Sequence, residues 1–144
     1  QKHNATLVYG SHKRIDENNN ECLSPFIVPE HVTYTDILKT CSISCLTGLY
    51  DSKKYGKIYL NEEFRSLRDD HIYWLEILKK CGEAWGNKEI IASYRILSTS
   101  TTHNKLKVII PQFKVYYKCE KLGLIKSIYY LMNWAFYGFL KYRK

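Results

Sequence analysis

Two adjacent carboxylates, Asp69 and Asp70, open a segment with helical periodicity. The free N–H groups at the start of a helix stabilise negative charge, so acids in this position are commonly structural. In the functional interpretation, one carboxylate projects into a cleft and accepts a proton from an incoming hydroxyl. Trp74 could offer a flat apolar face to a sugar. Because it shares one helical stripe with Leu75 and Leu78, core packing is the expected role for its ring.

A second polar group follows a predicted strand. Tyr94 and Arg95 end that strand, and the loop after them holds Ser98, Ser100 and His103. The planar fork of donors on an arginine suits a phosphate or a carboxylate. The alternative is that Arg95 pairs with an acid at the surface and that the loop is a solvent-exposed linker. We favour the linker interpretation for His103 in particular.

The C-terminal part of the chain is basic and aromatic. Residues 105–144 hold nine of the 22 Lys and Arg but one of the 14 acids, so they carry the whole formal charge of +8. Between Ser127 and Leu140 the run is apolar apart from Asn133, and it is shorter than the roughly 20 residues needed to span a bilayer. Aromatics beside terminal lysines and arginines are typical of a helix at a lipid interface. A core or dimerisation helix fits equally well, whereas nucleic-acid binding lacks a supporting motif.

Length and composition indicate one ordinary domain. The chain has 144 residues, of which 45% are hydrophobic and 25% charged, and these values exclude a wholly disordered protein. Three prolines and seven glycines exclude a collagen-like or low-complexity chain. Five cysteines without regular spacing, among them Cys41 and Cys45, predict free and buried thiols in a reducing compartment.

The elements that must position the polar groups are strands mixed with helices. Residue types and periodicity predict strands at 5–10, 42–51 and 89–97, a polar loop at 16–21, and helices at 33–39 and from 69 to about 82. Thr33 is predicted to cap the first helix, with Asp36 three residues on in a variant of the capping box. Two further helices, divided at Gly123, follow. This order predicts an α/β or α+β fold.

Taken in order, these segments resemble the C-terminal half of family 2 glycosyltransferases, enzymes that build surface polysaccharide and lipopolysaccharide in bacteria. The motifs that carry the resemblance are LVYGSHKRIDENN, TYTDILK, SCLTGLYDSKKYG, RDDHIYWLEILKK, IIASYRIL and STSTTHNK. They cover essentially the whole chain. The resemblance implies an α/β fold, α+β when isolated, in which residues 1–104 form the acceptor-side part of a Rossmann-like GT-A fold. Residues 105–144 would add two basic aromatic helices.

The resemblance also implies an inverting transfer of a sugar from a nucleotide-sugar to an acceptor hydroxyl. The second acid of the pair would be the general base, and this position is Asp70. Asp69 stands where the family more often has Glu, which shortens the reach of that side chain toward an acceptor. The remaining candidates for acceptor or substrate binding are Thr47, Gly48, Asp51, Trp74, Tyr94, Arg95, Ser98 and Ser100.

One family motif does not occur in these 144 residues: the Asp-x-Asp that holds Mg²⁺ or Mn²⁺ on the donor diphosphate. We therefore expect the metal ligands to lie outside this chain. The chain, which starts at Gln1, is expected to be a fragment without the nucleotide-binding half, inactive alone and prone to self-association.

The expected partners are a nucleotide-sugar and a glycan or lipid-linked acceptor, with no nucleic acid. Residues 122–144 would give peripheral membrane contact at the cytoplasmic face of the inner membrane. The alternative function is a non-catalytic membrane-peripheral or protein-interaction module.

Overall fold

A computed structural model describes residues 3–64, 68–97 and 105–142. In these residues a mixed five-stranded sheet packs against helices, which confirms the predicted α/β class. The strands are β1 (Leu7–Ile15), β2 (Glu21–Phe26), β3 (His31–Thr33), β4 (Leu49–Tyr50) and β5 (Glu83–Arg95). The helices are α1 (Tyr34–Lys39), α2 (Ser52–Tyr55), α3 (Asp69–Cys81), α4 (Lys105–Lys114) and α5 (Leu124–Tyr142). A 3-10 turn covers Glu62–Phe64 and a π-helical segment covers Val115–Cys119.

The strand order in the sheet is β2-β1-β5-β3, with β4 paired to β1. β1 and β5 run parallel, whereas β2 and β4 are antiparallel to β1 and β3 is antiparallel to β5. A parallel pair requires a long crossover connection, and the chain that carries α1, α2 and α3 supplies it. This crossover brings α3 against the central strands.

Two predicted strands exist but are longer than expected. β1 continues past Gly10 to Ile15, where it forms a hairpin with β2 around the predicted polar turn. β5 begins at Glu83 rather than at 89. In the early part of β5 a glycine is required at Gly86, since a Cβ at this position would lie 2.1 Å from the carbonyl oxygen of Pro29.

The predicted buried strand at 42–51 is wrong. Only Leu49–Tyr50 is extended, and the preceding residues form a turn. The backbone N–H groups of Thr47 and Gly48 donate to the carbonyl of Ser44, at 3.0 and 2.9 Å. Because these donors are satisfied locally, the segment does not need a neighbouring strand.

The helix predictions are confirmed. In α1 the Asp36 carboxylate accepts hydrogen bonds from the Thr33 backbone N–H at 2.9 Å and from the Thr33 hydroxyl at 2.6 Å, and these bonds lower the pKa of Asp36. α3 ends at Gly82, which has a φ of 83°. Gly123, with a φ of 75°, separates the π-helical segment from α5. A left-handed backbone of this kind ends helices and favours glycine.

The core lies between the sheet and α3. The buried face of α3 consists of His71, Ile72, Trp74, Leu75, Ile77 and Leu78. The C-terminal helices are tied to this body by polar contacts. The hydroxyl of Tyr116 donates to the carbonyl of Leu38 at 2.6 Å, and Lys79 forms an ion pair with Glu120 at 2.7 Å. Tyr34 also donates to the Glu120 carboxylate.

The predicted burial of the cysteines is wrong. None of the five cysteines, all of which lie in the described residues, forms a disulfide, but Cys22 and Cys45 are exposed and the other three are half-buried. The exposed pair lies on β2 and in the turn before β4, two places where the backbone runs along the surface.

Candidate active site

The acidic pair lies in the first turn of α3, where both side chains are half-buried. Asp69 Oδ1 accepts a hydrogen bond from the backbone N–H of Asp70 at 3.0 Å, and Asp70 Oδ1 accepts one from His71 at 2.8 Å. These N–H groups are among those that a helix start leaves without intrahelical partners. Each carboxylate therefore uses one oxygen to cap the helix. The second oxygen of Asp70 makes no hydrogen bond within the described part of the chain.

The turn before β4 lies against this end of α3. The Thr47 hydroxyl donates to the carbonyl of Gly10 at 3.0 Å, which fixes the turn on β1. A Cβ at Gly48 would come within 2.3 Å of the Trp74 ring. Gly48 is thus the residue that lets the turn approach the helix. Trp74 is 3% exposed and supports the turn from the core, as its helical stripe predicts.

Asp51 has a local structural role. Its Oδ1 accepts hydrogen bonds from the backbone N–H groups of Lys53 and Lys54, at 2.9 and 3.1 Å, and so caps α2. Its own N–H donates to the carbonyl of Thr6 at 2.8 Å. Asp51 therefore holds the chain that leaves the turn, and its contact with an acceptor stays a prediction.

Two further titratable side chains lie at this end of α3: Cys45, in the turn before β4, and Tyr73, on the helix itself. Although Cys45 as a whole residue is exposed, partial desolvation of its sulfur raises the pKa of the thiol, and the nearby charges of Asp70 and Asp69 raise it further. Burial and the neighbouring Tyr50 raise the pKa of Tyr73 to about 12. Both groups are neutral at physiological pH, so neither competes with Asp70 as a base.

His71 lies on the same predicted helical stripe as Trp74 and is buried, but the sequence indicated no partner for its ring. Its Nε2 lies 3.0 Å from the carbonyl oxygen of Ile37, and its Nδ1 lies 3.0 Å from Nε2 of Gln112. A neutral imidazole satisfies both contacts when Nε2 donates to Ile37 and Nδ1 accepts from Gln112. Burial lowers the pKa of His71 to about 4, and Arg68 lowers it as well. His71 therefore joins α3 to α1 and α4 directly behind Asp70.

Tyr94 and Arg95 make their contacts elsewhere. The Tyr94 ring lies 5.6 Å from that of His12, between centroids. The guanidinium of Arg95 donates to the carbonyls of Asp16 and Glu17, at 2.9 and 3.2 Å, and to Asn19 Oδ1 at 2.7 Å. Arg95 thus holds the turn between β1 and β2. Ser98, Ser100 and His103 lie outside the described residues.

An open cleft of about 680 Å³ adjoins the turn that carries Thr47. Val8, Leu49 and Ile91 line it, with exposed fractions of 37%, 68% and 55%. Three strands therefore present apolar side chains around one concave surface.

The arrangement at α3 is suited to proton transfer. One oxygen of Asp70 makes no hydrogen bond in the described residues, and a carboxylate of this kind can accept a proton from a hydroxyl. Within residues 3–64, 68–97 and 105–142, no three His, Cys, Asp or Glu side chains are grouped so that they could hold a metal ion. The described residues do not fit the divalent cation that the resemblance implies, and no step through a metal follows from them.

The C-terminal helix α5 has two different faces. Ser127, Tyr130, Leu131 and Trp134 are turned toward the body of the fold and are buried or half-buried. The opposite face is apolar and exposed, and it consists of Ile125, Ile128, Tyr129, Met132, Phe136 and Phe139. In the part of the chain that the structure describes, no helix has the length and apolar character needed to cross a membrane.

Comparison with known proteins gives several curated relatives. The chain is 36% identical over 114 residues to the putative teichuronic acid biosynthesis glycosyltransferase TuaG of Bacillus subtilis, an alignment that covers 78% of this chain and 44% of the relative. It is 33% identical over 145 aligned residues to the UDP-Glc:alpha-D-GlcNAc-diphosphoundecaprenol beta-1,3-glucosyltransferase WfgD of Escherichia coli, which covers 98% of this chain and 54% of the relative. An uncharacterized glycosyltransferase of Haemophilus influenzae is 27% identical over 140 residues, 96% of this chain and 54% of the relative.

These relatives confirm the predicted resemblance to bacterial glycosyltransferases. The chain spans about half the length of the curated relatives it matches. No protein-family model matches the chain, and no solved structure does.

Proposed function

We propose that this chain is the acceptor-side part of an inverting, family 2 glycosyltransferase with a GT-A fold. The complete enzyme would transfer a sugar from a nucleotide-sugar to a hydroxyl of a glycan or lipid-linked acceptor in the synthesis of bacterial surface polysaccharide. The observation that carries the proposal is the position of Asp70 in the first turn of α3, beside the turn at 44–48, with one carboxylate oxygen that makes no hydrogen bond in the described residues. The names of the relatives support it, since they include teichuronic acid biosynthesis and a sugar–diphosphoundecaprenol acceptor.

In this proposal Asp70 is the general base. It accepts the proton of the acceptor hydroxyl as that oxygen attacks the anomeric carbon from the face opposite the leaving nucleotide. The helix start stabilises the negative charge that the base must carry before the reaction. Asp69, Thr47 and Gly48 would contact the acceptor, while Trp74 and His71 hold the helix and turn in place from behind.

The same proposal places the donor site outside these residues. The nucleotide-binding half, with its Asp-x-Asp motif, would bind Mg²⁺ or Mn²⁺, and the metal would stabilise the leaving diphosphate. The apolar cleft lined by Val8, Leu49 and Ile91 supports this, because a further part of the protein could cover it. The chain alone should therefore not transfer sugar.

The experiment is an assay with nucleotide-sugars, Mn²⁺ and a lipid-diphosphate acceptor, performed on the complete enzyme and on the 144-residue chain. We expect transfer by the complete enzyme, with inversion of the anomeric centre in the product, and none by the chain alone. Retention of configuration would overturn the inverting mechanism. Acceptor-dependent transfer by the chain alone would overturn the location of the donor site.

We further propose that α5 rests on an anionic membrane surface, at the cytoplasmic face of the inner membrane. Its outer face exposes Ile125 (85%), Met132 (68%) and Phe136 (59%), and residues 105–144 carry the net positive charge of the chain. Apolar side chains next to basic residues favour binding to anionic lipid. Co-sedimentation with anionic vesicles should be lost when Ile125, Met132 and Phe136 are all changed to Ser. Unchanged binding would contradict this.

The exposed face of α5 also supports the second candidate function, a non-catalytic module that docks on a membrane or a protein. The two functions differ in their dependence on Asp70. A docking module would bind its partner without that carboxylate, whereas the enzyme requires it for transfer.

A further inference from the structure

A pocket of about 230 Å³ lies at the start of α3, between this helix and the C-terminal helices. Its walls come from separate parts of the chain. Arg68 and Ile72 belong to the start of α3, and the facing wall consists of Pro111, Lys114, Val115 and Lys118 from α4 and the π-helical segment. The 3-10 turn contributes Glu63 and Phe64. Elements distant in sequence therefore converge next to the candidate base.

The pocket carries an excess of positive charge. Arg68, Lys114 and Lys118 face one carboxylate, that of Glu63, and within the described residues none of the three cations forms an ion pair. Lys79, on the exposed part of α3, is by contrast paired with Glu120 at 2.7 Å. Lys114 and Lys118 are exposed and carry no ion pair in the described residues, so their charges remain available to an anion that enters the pocket.

Arg68 gives the strongest indication of a ligand. Its Nε is buried and has no hydrogen-bond partner among the described residues. Its guanidinium carbon lies 5.7 Å from the centre of the Trp134 ring on α5, which fixes the position of the side chain. A buried donor without a partner is rare in folded proteins and is commonly satisfied by a bound group.

We propose that this pocket binds the diphosphate of a lipid-linked acceptor, an inference that rests on the proposed function. An arginine fork and two lysines separated by one helical turn provide several donors, which suits an anion with many oxygens. Arg68 is the N-cap residue of α3 and Asp70 lies two residues further on, in the first turn, so the pocket and the candidate base adjoin the same end of this helix. In the acceptor named for WfgD, one sugar separates the diphosphate from the site of the new bond. A diphosphate in the pocket would thus place an acceptor hydroxyl near Asp70.

The donor nucleotide-sugar also contains a diphosphate, so the experiment must separate the two sources. The complete enzyme is compared with its Lys114→Gln/Lys118→Gln variant, and a Lys53→Gln/Lys54→Gln variant serves as a control for the loss of two exposed charges. Two acceptors are used: N-acetylglucosamine joined through a diphosphate to a short lipid, and the same sugar as an uncharged alkyl glycoside.

For the diphosphate acceptor, kcat/KM should fall about tenfold or more in the Lys114/Lys118 variant, since two charge-assisted contacts are lost. In the same variant, kcat/KM for the alkyl glycoside and the KM of the donor should not change. The Lys53/Lys54 control variant should behave as the parent with both acceptors. Equal losses with both acceptors would contradict the subsite. A raised donor KM alone would contradict its assignment to the acceptor.

A binding measurement separates the pocket from the proposed function. Inorganic pyrophosphate is titrated into the 144-residue chain without metal, and the same two double variants are compared by calorimetry. Binding that weakens about tenfold in the Lys114/Lys118 variant alone would support the pocket, even if the complete enzyme transferred no sugar. Absence of binding, or equal binding by both variants, would overturn the proposal.

Discussion

The first turn of α3 and the end of β5 are both rich in polar residues, and both belong to motifs that resemble substrate-binding segments. Their hydrogen bonds differ. Asp70 uses one oxygen to cap its helix and keeps the other without a partner in the described residues. Arg95 directs three hydrogen bonds to the turn between β1 and β2. A polar side chain whose hydrogen bonds are made within the fold therefore has a structural role. One that keeps a hydrogen-bonding atom without a partner can instead act on a ligand.

The largest expected effect is at α3. In the complete enzyme, Asp70→Asn should lower kcat about 10²–10⁴-fold, because the amide cannot accept the proton. The amide oxygen can still accept the hydrogen bond from His71, so the fold should be retained. Glu76→Gln, a half-buried acid on the same helix, is the matched control and should keep its activity. A loss of less than about threefold for Asp70→Asn would place the base elsewhere.

Two glycine-to-alanine substitutions test the packing of the turn at 44–48 against α3. Gly48→Ala should destabilise the fold by about 1–3 kcal/mol, since its Cβ would meet the Trp74 ring. Gly138→Ala, in α5, meets no atom within 4 Å and should raise stability by up to about 1 kcal/mol, because alanine favours a helix. Urea denaturation gives both values. Equal stability of the two variants would mean that the turn does not rest on Trp74.

His71 should make stability depend on pH. Its pKa is about 4 in the folded protein, below the ordinary value of 6.5, so the unfolded state binds the extra proton first as pH falls. The contribution of the neutral His71 side chain to the free energy of unfolding is fully present above about pH 6.5 and is lost as the pH falls from 6.5 to 4. Between pH 7 and 5 the loss is about 2 kcal/mol.

The measurement is urea denaturation at both pH values. His71→Gln should be less stable at pH 7 but should lose this pH dependence. His31→Gln, at an exposed histidine, should keep it. An identical slope in His71→Gln and the parent would show that other groups cause the effect.

The smallest expected effect is at β5. Arg95→Gln should cost about 1 kcal/mol of stability, since exposed hydrogen bonds to the β1–β2 turn are lost. Transfer by the complete enzyme should change less than threefold, a factor that corresponds to about 0.6 kcal/mol. A tenfold or larger decrease in kcat/KM with unchanged stability would instead make Arg95 a substrate contact and would remove the contrast with Asp70.

The features of the molecule that depend on residues close together in the chain could be predicted from the sequence. The capping box of Thr33 and Asp36, the apolar stripe of α3 and the glycine at its end are signals that act within a few residues. They placed Asp69 and Asp70 at a helix start without any knowledge of the fold. The resemblance to glycosyltransferases then gave the pair a chemical role.

The remaining features depend on contacts that are distant in sequence. His71 meets Gln112, and Arg95 meets the turn at 16–19, and no local pattern indicates either contact. β2 was missed because its residues are mostly exposed and show no alternation. The run at 42–51 contains β-branched residues but bends at Ser44, where hydrogen bonds within the turn replace those of a sheet.

The central claim, that Asp70 is the base for transfer, is tested most directly by measuring sugar transfer and donor binding together in the Asp70→Asn variant of the complete enzyme. Transfer should fall about 10²–10⁴-fold while the Kd of the nucleotide-sugar stays that of the parent, because only proton acceptance is removed. The Glu76→Gln enzyme should match the parent in both measurements. If Asp70→Asn transfers sugar at the rate of the parent, another group accepts the proton and the assignment of Asp70 is wrong.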